Sequence, residues 1–420
     1  MVIGNEYIFD NIDDALAYVL CCERRALADD IYRQKAPDIW RTMPLVTPPL
    51  AVDSLAYPLS AWFNNASEDK FVMTRLKSGR YSLKPNLRNR KFLFRGESKY
   101  HQPCKPNLFR EPKQKRFTAE LARGQEMMLL ILSHPLVQLL DMGVELCGET
   151  YRFEMNLFGL TQHYYNKTSF IDLTSNPEVA AFFAVTEYKD DTYSPIGDEN
   201  HEPGVLYYYC LDINEDFGNP VGTQEAPLST IGLQVFPRSG RQRGFLYDLQ
   251  ADKNFNDVAK VNAIRFRHNV TIARRICSQF NEGSDLFPED ILAKHWRREG
   301  RNRMVLSNRT VRMNHLFNPQ MAYDEVDAEI RSLKFDIQDY RVAFTIEELD
   351  EYYDAVQHKG YWTDFCKQIH IPGDTEGEIM NDLLNLPDNP KYRWAFERDD
   401  THVTDYSKGY VMSKYMECLS

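Results

Sequence analysis

The first pattern in the chain is amphipathic. After Asp10-Asn11-Ile12-Asp13-Asp14, the apolar positions Ala15, Leu16, Tyr18, Val19, Leu20 and Leu27 recur at three- and four-residue spacing. An Asp or Asn ahead of such a run predicts a capped helix over residues 10–33. A proline-rich passage from Pro37 to Pro58 reads as an irregular surface segment. Phe92-Leu93-Phe94 predicts a short strand ending in a turn at Arg95-Gly96. Residues 117–142 predict a helix buried on all sides, because Met127-Met128-Leu129-Leu130-Ile131-Leu132 leaves no polar face. A second helix is expected over 151–165, then a strand from Ser169 to Leu173. Asn176-Pro177 opens a helix through Glu178–Glu187, since proline is tolerated in a first turn. Tyr188–Gly204 is polar and reads as a mobile loop, and Val205–Leu211 as a strand. Beyond about residue 320 the pattern turns acidic and helical, notably over Ile346–Val356 and Gly377–Leu386. Helices and strands in this order predict an α+β fold.

Charge divides the chain more sharply than hydropathy. The net charge is −11, and residues 321–420 hold 22 acidic and 10 basic side chains, so the first 320 residues are close to neutral. Overall acidity disfavours non-specific nucleic-acid binding but leaves room for an anion pocket in the first part. At 420 residues with 43% hydrophobic and 13% aromatic residues, the chain has a globular composition. No apolar stretch is long enough for a membrane span, and the first residues lack a basic, apolar leader, so a cytoplasmic protein is expected. The eight cysteines form no C-x-x-C pair or disulfide framework, and reduced, mostly buried thiols are expected. The histidines show no metal-ligand spacing, so no metal is expected. Walker-type, H-E-x-x-H and G-x-S-x-G motifs are missing.

Three stretches carry a family resemblance. The first is Phe92-Leu93-Phe94-Arg95-Gly96-Glu97-Ser98 with Pro106-Asn107-Leu108-Phe109-Arg110. The second is Gln162-His163-Tyr164 followed by Asp172, Thr174, Pro177 and Ala181-Phe182-Phe183-Ala184. The third is Arg241-Gln242-Arg243-Gly244-Phe245. In this order they resemble the FRG-domain family. Departures are Glu97 where Gln is common, Tyr165 in place of Gly, and Ser169-Phe170 in place of Arg-Leu. The resemblance implies an N-terminal extension over 1–87, an FRG-like domain over 88–315 and an acidic helical extension over 316–420. More distantly, it is similar to the ADP-ribosyltransferase plan. That implies a mixed or antiparallel core sheet with flanking helices and NAD as the ligand. It also implies an Arg-Gly on a first strand, hydroxyls on a second and a polar residue on a later one. Families of this kind often act as toxins or in phage defence.

On that reading Arg95, Thr174 and Gln242 are the candidate catalytic residues. Gly96, His163, Tyr164, Asp172, Ser175, Arg241 and Gly244 are the candidate ligand-binding ones. A guanidinium beside glycine can grip a phosphate or ribose. The alternative is a buried Arg95–Asp172 pair joining two strands. Thr174, Ser175 or Asn176 either meets a ribose or caps the Pro177 helix. His163 and Tyr164 either stack on a ring or belong to the core. Arg238, Arg241 and Arg243, with Arg95 and Arg110, either cradle a pyrophosphate or form a solvated run. Arg297, Arg298, Arg301 and Arg303 read as a surface face. A Cys104 nucleophile is the weakest candidate. Gln242 cannot act as a general acid or base, which weighs against turnover. The expected function is NAD-consuming transfer or hydrolysis, with a non-catalytic nucleotide- or peptide-binding module as the alternative. A core-only, structural role for these residues is a third reading.

Overall fold

The structure is a computed structural model that describes residues 7–30, 64–76, 78–110, 114–164, 166–189, 192–199, 202–212, 216, 228–300 and 304–399. The Pro37–Pro58 passage, Tyr165, Arg301 and Arg303 lie outside the described residues. The central sheet has seven strands: β1 (Ile8–Phe9), β4 (Phe92–Glu97), β7 (Phe170–Thr174), β10 (Gly204–Cys210), β11 (Leu228–Thr230), β12 (Gly244–Asp248) and β13 (Val261–Phe266). Their order in space is β1-β13-β10-β4-β7-β12-β11. β1 runs parallel to β13, and every other neighbouring pair is antiparallel. Smaller sheets surround it. β2 (Phe71–Arg75) and β3 (Tyr81–Pro85) pair with each other and, through β2, with β16 (Ile369–His370). Two hairpins, β5–β6 (Val144–Leu146, Glu149–Tyr151) and β8–β9 (Thr186–Lys189, Thr192–Pro195), and the parallel pair β14–β15 (Val305–Ser307, Asp336–Gln338) complete the strands. The mixed α+β plan with flanking helices is therefore observed.

The helices cover the sheet according to their apolar faces. α1 (Ile12–Ala28) starts at Asn11, whose side chain accepts from the Asp14 amide. It packs with α5 (Pro177–Val185) and α7 (Val270–Gln279) over the sheet face carrying Phe92, Phe94, Leu206 and Phe266. Strand alternation sends Leu93, Tyr207 and Leu173 into a second core on the opposite face. The largest core joins α2 (Gln114–Leu132) and α3 (Pro135–Met142) to α11 (Ile346–His358), α12 (Tyr361–Lys367) and α13 (Glu378–Leu384). α4 (Leu157–His163), α6 (Pro237–Gln242), α8 (Ile291–His295), α9 (Asn308–Phe317) and α10 (Tyr323–Ser332) are the remaining helices. Among the described residues no helix is long and apolar enough to cross a membrane.

Several local expectations are corrected. Arg95-Gly96 is not a turn: β4 continues through both to Glu97. The 117–142 helix is two helices, because Pro135 cannot donate an amide and instead opens α3, with His134 Nδ1 accepting from the Leu136 amide at 3.2 Å. The helix expected at 151–165 forms only from Leu157. The Tyr188–Gly204 loop contains part of the β8–β9 hairpin. Seven described cysteines are free thiols, but only Cys104, Cys277 and Cys366 are buried and Cys147 is exposed.

Candidate functional site

The sheet comes apart at its centre. β4 and β7 share one paired position, Phe94 opposite Thr174, whereas β10 pairs along all of β4 and β12 along all of β7. Where the ladder between them stops, Arg95 Nη1 donates to the Asp172 carbonyl at 2.9 Å. A cleft of ≈ 150 Å³ lies here, lined by Arg95, His163, Asp172, Thr174, Gln242 and Gly244. Val179, Ala180 and Phe183 of α5 form its apolar wall. Three distant stretches of sequence thus meet in one cavity.

The α5 wall depends on Gly96. A Cβ there would overlap the Ala180 carbonyl oxygen and press on the Ala184 amide. Gly96 was expected to admit a ligand, but its missing side chain admits helix α5. α5 itself is apolar almost all round and starts at Asn176, which caps it by accepting from the Glu178 amide at 3.0 Å. Thr174 and Ser175 are not caps of that helix. Thr174 Oγ1 donates to the Gln242 carbonyl at 2.7 Å and accepts from the Asn176 amide at 3.0 Å. Ser175 Oγ accepts from Arg243 Nε at 3.3 Å.

Arg95 is gripped by a carboxylate, and that carboxylate is not Asp172. Glu97 Oε1 accepts from Arg95 Nε at 3.0 Å and Nη2 at 2.6 Å, and also from Arg110 Nη2 at 3.3 Å. Burial works against the Arg95 charge, and the Glu97 carboxylate more than restores it, so the guanidinium sits above its ordinary pKa. For Glu97, burial would raise the pKa, but Arg95 and then Arg110 hold it below the usual carboxylate range. Glu97 entered the sequence reading only as a departure from Gln. Its i+2 spacing from Arg95 puts both on one face once the strand is known to run that far. The Asp172 carboxylate accepts instead from Gln162 Nε2, and its side chain remains 47% exposed at the cleft.

Among the described residues, His163 brings to the cleft a fully buried polar atom without a well-formed hydrogen bond. Its ring is buried and its Nε2 has no hydrogen-bond partner, although Asp172 Oδ1 lies 4.0 Å away. Burial lowers its pKa, with Asp172 and then the neighbouring Gln242 side chain acting in the opposite direction, so a neutral imidazole is favoured. The Gln242 side chain lies close enough to interact with the ring but forms no well-aligned hydrogen bond to Nε2. Gly244 makes room for this nitrogen: a Cβ there would sit 3.0 Å from Nε2. Gly244 was expected to permit a turn, yet the left-handed residue is Arg243, at φ 50°. Gln242 ends helix α6 instead of lying on a strand, and its Nε2 donates to the Leu286 carbonyl at 3.1 Å.

The remaining candidates lie elsewhere. Tyr164 is fully buried, bonded to Asp290 and covered by Arg238, whose guanidinium is 4.6 Å from the ring centroid. Arg243 donates to the Lys70 and Asn86 carbonyls and stacks over Phe71. Arg241 lines a different pocket. The arginines of this segment are therefore neither a pyrophosphate cradle nor a solvated run, because α6 and the left-handed Arg243 that follows it send them in three directions. Arg297 pairs with the exposed Glu289, and the exposed Arg298 with the buried Glu348. Cys104 is buried, and burial together with Glu97 pushes its thiol up to about 11, which removes it as a nucleophile at neutral pH.

Residues 90–192 match the FRG domain family model. The chain carries an FRG domain. The match spans β4 to the start of β9 and contains Arg95, Gly96, His163, Asp172 and Thr174, whereas Gln242 and Gly244 reach the FRG cleft from outside it. No curated protein and no solved structure matches the chain.

Proposed function

We propose that the FRG cleft binds the ring end of NAD or a related nucleotide, and that the protein is an ADP-ribosyltransferase-like module that cleaves it. The observation that carries this reading is the buried His163 Nε2, which makes no well-formed hydrogen bond, in the same cleft as Gln242 and Arg95. A primary carboxamide offers both a donor and an acceptor, so it can satisfy that nitrogen in either tautomer. A cavity of ≈ 150 Å³ is about the size that admits one six-membered ring, which leaves the phosphates outside, on the Arg95 side. Cleavage breaks the bond from ribose C1 to the ring nitrogen. The electron pair leaves with the ring, and water or a target nucleophile attacks C1 and loses its proton. The half-exposed Asp172 carboxylate is the lining group able to stabilise the positive charge at C1.

A non-catalytic, nucleotide- or peptide-binding module is favoured by two observations. Arg95 is already neutralised by Glu97, and the Thr174 hydroxyl is already used. One experiment separates the readings. The full chain is incubated with NAD, with and without cell lysate, and nicotinamide release is followed beside Asp172→Asn and His163→Gln, each checked for a wild-type melting profile. Turnover that falls on the order of 100-fold in Asp172→Asn supports the enzyme. A rise in melting temperature with NAD, lost in His163→Gln and without release, supports the binding module. If NAD neither stabilises the protein nor is consumed, the nucleotide proposal fails.

A further inference from the structure

A second cavity, of ≈ 360 Å³, lies between the Leu233–Pro237 segment leading into α6 and helices α11 and α12. It falls within the range of about 300–1,000 Å³ usual for small-molecule sites. Its lining combines Phe236, Tyr352, Tyr361 and Phe365 with the aliphatic Leu233 and Ile291. The charged groups at its edge are not equivalent. Glu289 pairs with Arg297, Glu351 with Lys294, Asp364 with Lys367 and Lys359 with Asp354. Asp290 accepts from the Tyr164 hydroxyl and the Ala293 amide. Arg241 is the exception: it is exposed and makes no hydrogen bond or ion pair among the described residues.

An apolar, aromatic cavity whose acids are already engaged, with one unengaged guanidinium at its edge, selects a particular chemistry. We propose that this pocket binds a small amphipathic carboxylate, its aromatic or aliphatic body between Phe236 and Tyr352 and its carboxylate paired to Arg241. A guanidinium takes a carboxylate in two parallel hydrogen bonds, which adds direction to charge. The apolar body supplies most of the driving force by leaving water. The site is independent of the FRG cleft: its lining contains none of the residues that line that cleft.

The test uses three probes that differ only in the head group: 4-phenylbutyrate, 4-phenylbutanamide and 4-phenylbutylamine, titrated into the full chain by ligand-observed NMR. The carboxylate is expected to bind saturably, at least about tenfold more tightly than the amide or amine. Arg241→Gln should remove that preference while leaving the amide unchanged. Ala355→Trp, which fills the cavity from α11, should abolish binding of all three. Ala355→Phe serves if circular dichroism shows that the indole is not accommodated. Equal affinity for the three probes, a carboxylate preference that survives Arg241→Gln, binding that survives both Ala355 variants, or no saturable binding would each overturn the proposal.

Discussion

The sheet cleft and the pocket beneath the C-terminal helices treat their cations in opposite ways. In the cleft, Arg95 is held by Glu97 and by a backbone carbonyl before any ligand arrives. In the helical pocket, Arg241 waits in solvent while the surrounding acids are paired with other groups. A pre-neutralised guanidinium gives little net attraction to an anion but a fixed direction of donation. An unpaired one gives attraction with little preorganisation. Selectivity in the cleft should therefore rest on shape and hydrogen bonding, and in the pocket on charge.

Breaking the cleft at its wall should have the largest effect. Gly96→Ala forces a Cβ into the Ala180 carbonyl, and a loss of about 4 kcal/mol or more, read from urea midpoints, is expected because neither strand nor helix backbone can yield. The next step removes the grip on Arg95. Glu97→Ala leaves Arg95 and Arg110 without their shared carboxylate and should cost about 3–5 kcal/mol. Glu97→Gln, which keeps one acceptor, should cost clearly less. Because the folded Glu97 pKa is lowered, its stabilisation is present above the ordinary carboxylate pKa and is lost as pH falls through the folded value. The wild-type advantage over Glu97→Gln should shrink in acid.

The pocket side can be sharpened with pH as well. His134 is fully buried against Phe236 and Tyr352, and burial lowers its pKa to about 3. The unfolded chain takes up this proton near pH 6.5, so stability should fall as pH drops from there towards 3, by about 2–3 kcal/mol if the site opens partly to water. His134→Asn keeps a cap acceptor for α3 and should flatten that slope in pH-dependent melting, even if its stability at neutral pH is lower. The smallest expected effect is at Tyr361, whose hydroxyl donates to the Val235 carbonyl. Tyr361→Phe should cost about 1 kcal/mol in the same assay.

What could be read from the chain divides along the same line. Asn11 and Asn176-Pro177 announced their helices because caps and first-turn prolines act locally. The meeting of Arg95, Thr174 and Gln242 in one cleft also followed from the order of the motifs. The partners did not. Glu97 was hidden because Gly96 suggested a turn, when the glycine is required by a helix lying across the strand. The fates of Arg238, Arg241 and Arg243 depend on how a six-residue helix is rotated against Tyr164 and Phe71, which no local spacing encodes. The helical pocket is assembled from segments more than 100 residues apart, Leu233–Pro237 and Tyr352–Gln368, and had no sequence signature at all.

Two residues of β1 close one side of the central sheet by running parallel to β13, and α1 then returns across the apolar face beside α5. The first two dozen described residues are thus a cover for an open strand border. A fragment that keeps β13 but lacks these residues would present the backbone donors and acceptors of β13 to solvent, ready to recruit another molecule edge to edge. Any shortened version that retains β13 should therefore keep Ile8–Ala28, or it will report on self-association instead of the cleft.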